Sequence, residues 1–555
     1  MKKLISIALC LIMLFTFCTP AFAVSGADYK VPTVLIRGDG ADLVTAEGEP
    51  LWPKKLGDEE GDTDELIDAV AEVLLPYFPT GLITGNWEPY YDKFEEVMLR
   101  FFGDTALDGE GNPVSVGSRM DQWFIDQNVK SKKTNKIRNG RYDYSAYEFN
   151  YDFRLSPYDH MESLDEYIMA VMKVTGSKQV NLVGRCLGGG FLMCYLDYYL
   201  DKVETTGCEP YIKNVMFQAV TSNGCDALNS AFSGTMAFDS LAVQRFMNEY
   251  IDEDSNTIGG ILDTAPFVNE VIMTSYDLLR EVGVVDSTLI TAADKLYSTL
   301  YAGLTPRLLK ALFGTWAGYW TAIDEEHFDK AINLIYGEEG SEEREEYAGL
   351  IAKIEKYYNE IVLEKENIIA ECEKLGAHFG SLVKYGYQAY PFVEEPDVVS
   401  DSLVALEKAS FGATCGKVGE PLSAEYVNER VAAGYGEYIS ADNMVDLSTS
   451  LMKDTTWVIK NLHHDNWIPD SDVINNFVWS TNCTTNNDNT FARFMVYNDE
   501  TQEKETMTEE NCNTSQWENL EDRNESTIFT KLIALFKWLS SIFRLLASKL
   551  GMGEA

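Results

Sequence analysis

The order of apolar and polar positions divides the chain into strand-like runs, helix-like stripes and two unusual ends. Val31 to Gly40 reads as a strand centred on Val34-Leu35-Ile36 that runs into a glycine turn. Leu66 to Leu75 and Trp87 to Phe102 carry apolar residues at helical spacing, and Pro76 is expected to end the first of them. Phe149 to Pro157 reads as a strand entering a loop, and Met161 to Val174 as an amphipathic helix stopped by Gly176. Val180 to Val183 is a short apolar strand, Phe191 to Leu196 continues as a helix, and Ile212 to Val220 is strand again. Strand and helix therefore alternate as far as residue 225. That pattern predicts an α/β fold with a doubly wound, mostly parallel sheet.

From Asp226 to Gly380 the pattern turns helical. Leu289 to Phe313 is rich in Leu and Tyr, and Glu342 to Leu375 alternates acids and lysines at helical spacing. Strands return at Val383 to Tyr390 and at Thr455 to Lys460. The expected division is a sheet core over 24–225 and 381–498, interrupted by a helical cap or lid insertion over 226–380. A lid with an apolar underside would admit acyl chains and exclude water. The pattern alone does not separate such a lid from a fixed helical subdomain.

Both ends depart from this rhythm. Met1-Lys2-Lys3, an apolar run from Leu4 to Phe17 and Thr19-Pro20-Ala21-Phe22-Ala23 form a secretory signal over 1–23, with a mature chain from Val24 and export as the expected destination. The run is too short to span a bilayer comfortably. Residues 499–526 are acidic and polar, as in a linker. Within 527–555, Ile528 to Leu550 places Lys537, Ser541, Arg544 and Ser548 on one helical stripe among Phe, Leu, Ile and Trp. That is a basic amphipathic helix, suited to a membrane interface at the cell surface or to packing against protein.

Lys and Arg number 45 against 88 Asp and Glu, a formal net charge of −43. A nucleic-acid partner is thereby disfavoured, because binding sets cations against phosphates. Removing Cys10 and Cys18 with the signal leaves eight of the ten cysteines. No CxxC or Cys/His ligand spacing occurs, so neither a metal nor a cofactor is expected.

The candidate chemistry lies in Val180-Asn181-Leu182-Val183-Gly184-Arg185-Cys186-Leu187-Gly188-Gly189-Gly190. Strand, sharp turn and helix form the context in which Gly-x-Ser-x-Gly acts as a nucleophile elbow, with Cys186 here in the serine position. Gly184 and Gly188 supply the small flanks that such a strained turn demands. The helix that follows aims its N–H groups at Cys186, which favours negative charge there. A dinucleotide loop does not fit, because its second glycine would fall on Cys186, and no Gly-Lys-Ser/Thr follows for a P-loop.

YDFRLSP (151–157), VNLVGRCLGGG at the elbow and GTWAGYWTAI (314–323) together resemble the α/β-hydrolases, most closely the secreted lipase and lecithin:cholesterol acyltransferase-type enzymes. The elbow itself, TGSKQVNLVGRCLGGGF (175–191), is similar to that of polyhydroxyalkanoate synthases, which use a thiol for acyl transfer. The resemblance covers about 30–225 and 380–470, and the signal and the insertion fit the synthases poorly. It implies an oxyanion hole made by the N–H groups of Leu187 and Asp39, although Arg37 stands where the family has histidine. It also implies a triad acid at Asp401, with Ser402 where the family favours glycine; Asp397 is the alternative.

Only five histidines exist: His160, His327, His378, His463 and His464. His160 lies near a strand end, while His327 and His378 fall in the helical insertion. His463 and His464 follow the late strand, where a base would be presented on a loop. His464, nearer the loop apex, is preferred. Arg185 is expected either to make a surface salt bridge or to recognise an anionic group.

The expectation is thus a secreted acyl hydrolase or acyltransferase, with a Cys186–His464–Asp401 triad acting on lipid-like esters through an acyl-thioenzyme. The competing class is a non-catalytic cell-surface binding protein on a degenerate hydrolase scaffold, for which Arg37 and Cys186 would speak. A cysteine peptidase or amidase fits the chain order less well.

Overall fold

The computed structural model describes residues 31–38, 43–44, 50–52, 69, 73, 76–115, 137–138, 141–237, 287–480 and 491–512. The expected signal over 1–23 and the amphipathic helix over 527–555 lie outside these residues, as does Asp39.

Eight strands form the central sheet: β1 Thr33–Ile36, β2 Tyr147–Phe149, β3 Val180–Arg185, β4 Ile212–Gln218, β5 His378–Tyr385, β6 Thr456–Lys460, β7 Phe494–Asn498 and β8 Glu503–Thr506. Their spatial order is β2-β1-β3-β4-β5-β6-β7-β8. Every neighbouring pair is parallel except β7 with β8. Helices connect and cover the strands: α1 Glu88–Phe102, α2 Met161–Thr175, α3 Gly188–Thr206, α4 Asp226–Ser233, α5 Ser287–Ala311, α6 Glu325–Tyr336, α7 Lys365–Lys374 and α8 Ser471–Trp479. This is a mostly parallel α/β architecture.

The apolar alternation within the strands explains why both faces are covered. Val34, Ile36, Leu182, Val215 and Phe217 pack on one face with residues of α2 and α3. Their sequence neighbours Leu35, Val183 and Met216, with Leu382, Trp457 and Ile459, pack on the other against Val473, Ile474 and Phe477 of α8. Each such side chain contributes about 1.5–3 kcal/mol by leaving water. The chain leaves β1 towards β2, then returns across it to β3 and runs on in the opposite direction. The resulting crevice at the C-terminal ends of β1 and β3 is the place where open α/β sheets bind ligands.

Helical backbone occurs at residues 69 and 73 and over 76–84, so Pro76 is itself helical; a proline in a first turn forfeits no helical hydrogen bond. Two expectations need correction. His378 opens strand β5 and is not part of the insertion, because α7 ends at Lys374 and Gly376 turns the chain at φ 94°. Residues 499–512 are not a linker. Glu503–Thr506 form the edge strand, and Met507 and Cys512 beyond it are buried. An edge strand is bonded on one side only and is protected by charge, so its polarity hides it from hydrophobic patterning.

The described part of the insertion shares the sheet's core. Trp316, Tyr357, Ile361, Ile368 and Cys372 belong to the same buried cluster as β1, β3 and α3, and Trp316 Nε1 donates to Thr105 O at 2.9 Å.

Candidate active site

The strands are parallel, so the loops after β1, β3, β5 and β6 all leave from one edge of the sheet. The turn after β3 carries Cys186 at φ 51°, a left-handed conformation uncommon for any residue but glycine. Its N–H donates to Gln218 O at 3.1 Å, and its carbonyl accepts from Gly189 N at 3.0 Å as α3 begins. The glycines around it are required by contact. A Cβ on Gly188 would collide with the Ile36 carbonyl, and one on Gly38 would stand 2.6 Å from Cys186 Cβ. The turn is therefore wedged against the end of β1, with the sulfur at the N-terminus of a 19-residue helix. Leu187 N–H donates to no acceptor among the described residues.

The loop after β5 passes through a short antiparallel ribbon, Tyr387–Gln388 with Val399–Ser400, and delivers Asp401 to the same edge. Asp401 is 1% exposed. Its Oδ1 accepts from the N–H groups of Leu403 at 3.1 Å and Val404 at 2.8 Å. Its Oδ2 lies 2.7 Å from Nδ1 of His464, which arrives on the loop after β6. A backbone bond from His464 N to Asp401 O, 2.8 Å, ties the two loops together. Burial alone would raise the Asp401 carboxyl, but His464, the Val404 N–H and Lys384 hold it below the usual carboxylate range. Burial would likewise strip the ring of its proton; the Asp401 charge, and then Cys186, outweigh this and raise the His464 pKa to about 10. His464 Nε2 is buried and has no hydrogen bond of ordinary length among the described residues. Cys186, His464 and Asp401 are thus all carried by loops at this one edge of the sheet.

The other candidates separate cleanly. His463 Nε2 pairs with Ser402 Oγ at 2.7 Å, and its ring packs edge-on to Tyr387. Asp397 makes a surface salt bridge to Lys417 at 2.7 Å. His160 is buried, with Nε2 on Asp152 O at 2.9 Å. His327 lies 2.6 Å from Asp324 at the start of α6. Arg185 makes no surface salt bridge in its described contacts: it donates to Gln218 Oε1 at 3.0 Å and to Tyr144 OH at 2.8 Å. Arg37 reaches Glu148 at 4.0 Å.

Ser402, at φ 88°, occupies a left-handed position, a conformation that glycine adopts without steric cost.

Sequence reasoning missed two supporting clusters. Lys384, next to the C-terminal end of β5, is fully buried with Asp470 at 3.0 Å. The signal was a lysine inside an apolar strand, unusual because such a charge is buried only with a partner. Lys408, just beyond the acid turn, lies 2.7 Å from Asp226 of α4 and 2.9 Å from Asp324 at the start of α6. Burial opposes its charge, but the two carboxylates outweigh this and raise its pKa. It thereby fastens the insertion to the acid turn.

Among the described residues no group of three or more His, Cys, Asp or Glu could hold a metal ion, and no helix is long and apolar enough to cross a membrane. Cys186, Cys194, Cys208, Cys225, Cys372, Cys415 and Cys512 are all free thiols. Comparison of the chain with protein-family models, with curated proteins and with solved structures returns no match.

Proposed function

We propose that the protein is an acyl hydrolase or acyltransferase of the α/β-hydrolase type that works through a thioester on Cys186. The observation that carries this is the buried Asp401–His464 pair at 2.7 Å, with the opposite ring nitrogen, Nε2, buried and without a hydrogen bond among the described residues. The order nucleophile, acid, histidine on the ends of β3, β5 and β6 supports the same conclusion. His464 takes the Cys186 proton, the sulfur attacks an ester carbonyl, a C–S bond forms, and the carbonyl electron pair moves to oxygen as an oxyanion. Leu187 N–H is placed to receive that charge, and Asp39 N–H is its expected partner. His464 gives its proton to the departing alkoxide as the C–O bond breaks, while Asp401 steadies the ring. His464 then takes a proton from water or an alcohol, which attacks the thioester and releases Cys186.

A secreted protein acting on lipid-like esters near a membrane is the setting we propose, supported by the leader-like 1–23 and the basic amphipathic pattern of 528–550. A degenerate binding scaffold has no need of a buried, aligned acid–imidazole pair beside a strained cysteine. The test uses p-nitrophenyl esters of increasing chain length, with intact-mass spectrometry alongside. A gain of one acyl mass that is absent in Cys186→Ala and is chased off by water or alcohol is the expected result. Alanine-variant rates equal to wild type would sink the proposal.

A further inference from the structure

We infer that Lys384, paired with Asp470, is the positioning residue of the candidate site and holds the loop that presents His464 between Asp401 and Cys186. This rests on the proposed roles of those three residues and extends them. An ammonium has three protons, and Lys384 Nζ has three acceptors at the same distance: His464 O, Asn466 O and Asp470 Oδ2, each at 3.0 Å. Neither charged side chain of the pair is exposed. Burying a lysine in a central strand is costly, and an apolar residue of similar volume would often serve stability as well. The feature an apolar residue could not supply is capping of the His464 and Asn466 carbonyls inside the protein. The same ammonium also meets an aromatic ring of this loop. Trp467 stands edge-on to the His464 ring at 5.0 Å, with Lys384 Nζ 4.0 Å from its centroid and Arg185 4.7 Å from it. Asp470 Oδ2 also accepts from Gln218 Nε2 at 2.8 Å, and Gln218 in turn receives Arg185, the residue before the nucleophile. One buried polar chain therefore joins the elbow to the loop of the base.

The experiment compares wild type, His464→Ala, Lys384→Met and Lys384→Met/Asp470→Leu. It reads Tm, ester kcat and KM, and the rate at which iodoacetamide labels the Cys186 peptide by mass spectrometry. Lys384→Met alone strands the Asp470 charge and is expected to be unstable. The double variant removes both charges and should regain most of the lost Tm, the uncapped His464 and Asn466 carbonyls accounting for the remainder. Its kcat should stay down by about a hundredfold with KM little changed, the usual consequence of a displaced catalytic group. Labelling of Cys186 should slow towards that of His464→Ala. A double variant with wild-type Tm, kcat and labelling overturns the proposal. So does one that fails to fold, because the pair then serves the fold and not the ring. Failure of the underlying triad is distinct: His464→Ala would label and turn over as the wild type does.

Discussion

Ser402 Oγ lies 2.7 Å from His463 Nε2, and this contact turns the first histidine of the pair away from the carboxylate that receives the second. The chain turns here, with Asn466 N–H on His463 O at 3.1 Å, and it is His464 whose ring meets Asp401. His463→Ala should therefore keep kcat/KM for p-nitrophenyl esters within about threefold, whereas His464→Ala should lose about a thousandfold or more. Equal losses in both variants would contradict the assignment.

The Asp401–His464 pair fixes a pH dependence. His464 is raised to about 10 in the folded protein, so its contribution to stability is whole below the unfolded value of about 6.5 and fades as pH climbs towards 10. Asp401 is lowered, so its contribution is present above about pH 4 and is lost as pH falls through its folded value. The Tm deficit of Asp401→Asn should accordingly be greatest between about pH 4 and 6.5 and shrink on the alkaline side. Within that window the cost should be about 3–5 kcal/mol, the penalty for breaking a buried pair. A deficit that is flat from pH 5 to 10 would remove the linkage.

Ser402 combines backbone strain with a useful hydroxyl. Ser402→Gly relieves a left-handed conformation worth about 1–2 kcal/mol and loses one hydrogen bond worth about 1 kcal/mol, so its net effect should be small. Ser402→Ala loses the bond and keeps the strain. Urea unfolding should rank alanine clearly below glycine, and the reverse order would deny the strain at φ 88°.

Gly188→Ala tests the wedge beneath the elbow. The added methyl meets backbone, the Ile36 and Arg37 carbonyl oxygens, and no flexible side chain is there to yield. We expect a loss of about 3 kcal/mol or more, together with reduced Cys186 reactivity. A stable, active variant would mean that α3 can shift on β1.

Lys408→Met should show whether the insertion supports the acid turn. It leaves Asp226 and Asp324 facing each other without their shared cation. Stability should fall by about 3–5 kcal/mol, with kcat falling alongside as the 401–408 segment loosens. Full activity in a folded variant would show that the two regions are uncoupled.

The elbow was legible because its signals are local: glycines at fixed offsets around Cys186, between an apolar strand and a helix. His464 was legible at longer range through chain order and the scarcity of histidine, and Asp401 only through the resemblance of its turn to that of the lipase-like family. Lys384 and Asp470 were not, because nothing in a lone lysine announces that tertiary packing will bury it. The edge strand Glu503–Thr506 escaped for the opposite reason, since its exposed, charged face looks like linker composition. His378 was assigned to the insertion because helix and strand meet there within a few residues.

The strand order also sets when reactive chemistry can first exist during folding. β1 must join β3 across the sheet, as in the contact between Thr33 and Asn181, 148 positions apart, and the elbow is wedged only once that junction closes. Pairing over such separations is slow. A newly made chain therefore brings Cys186 to its neighbours only once that pairing has formed. Among the described residues that leaves seven unpaired thiols open to oxidation in the interval, so yield should depend on the redox conditions in which the chain matures.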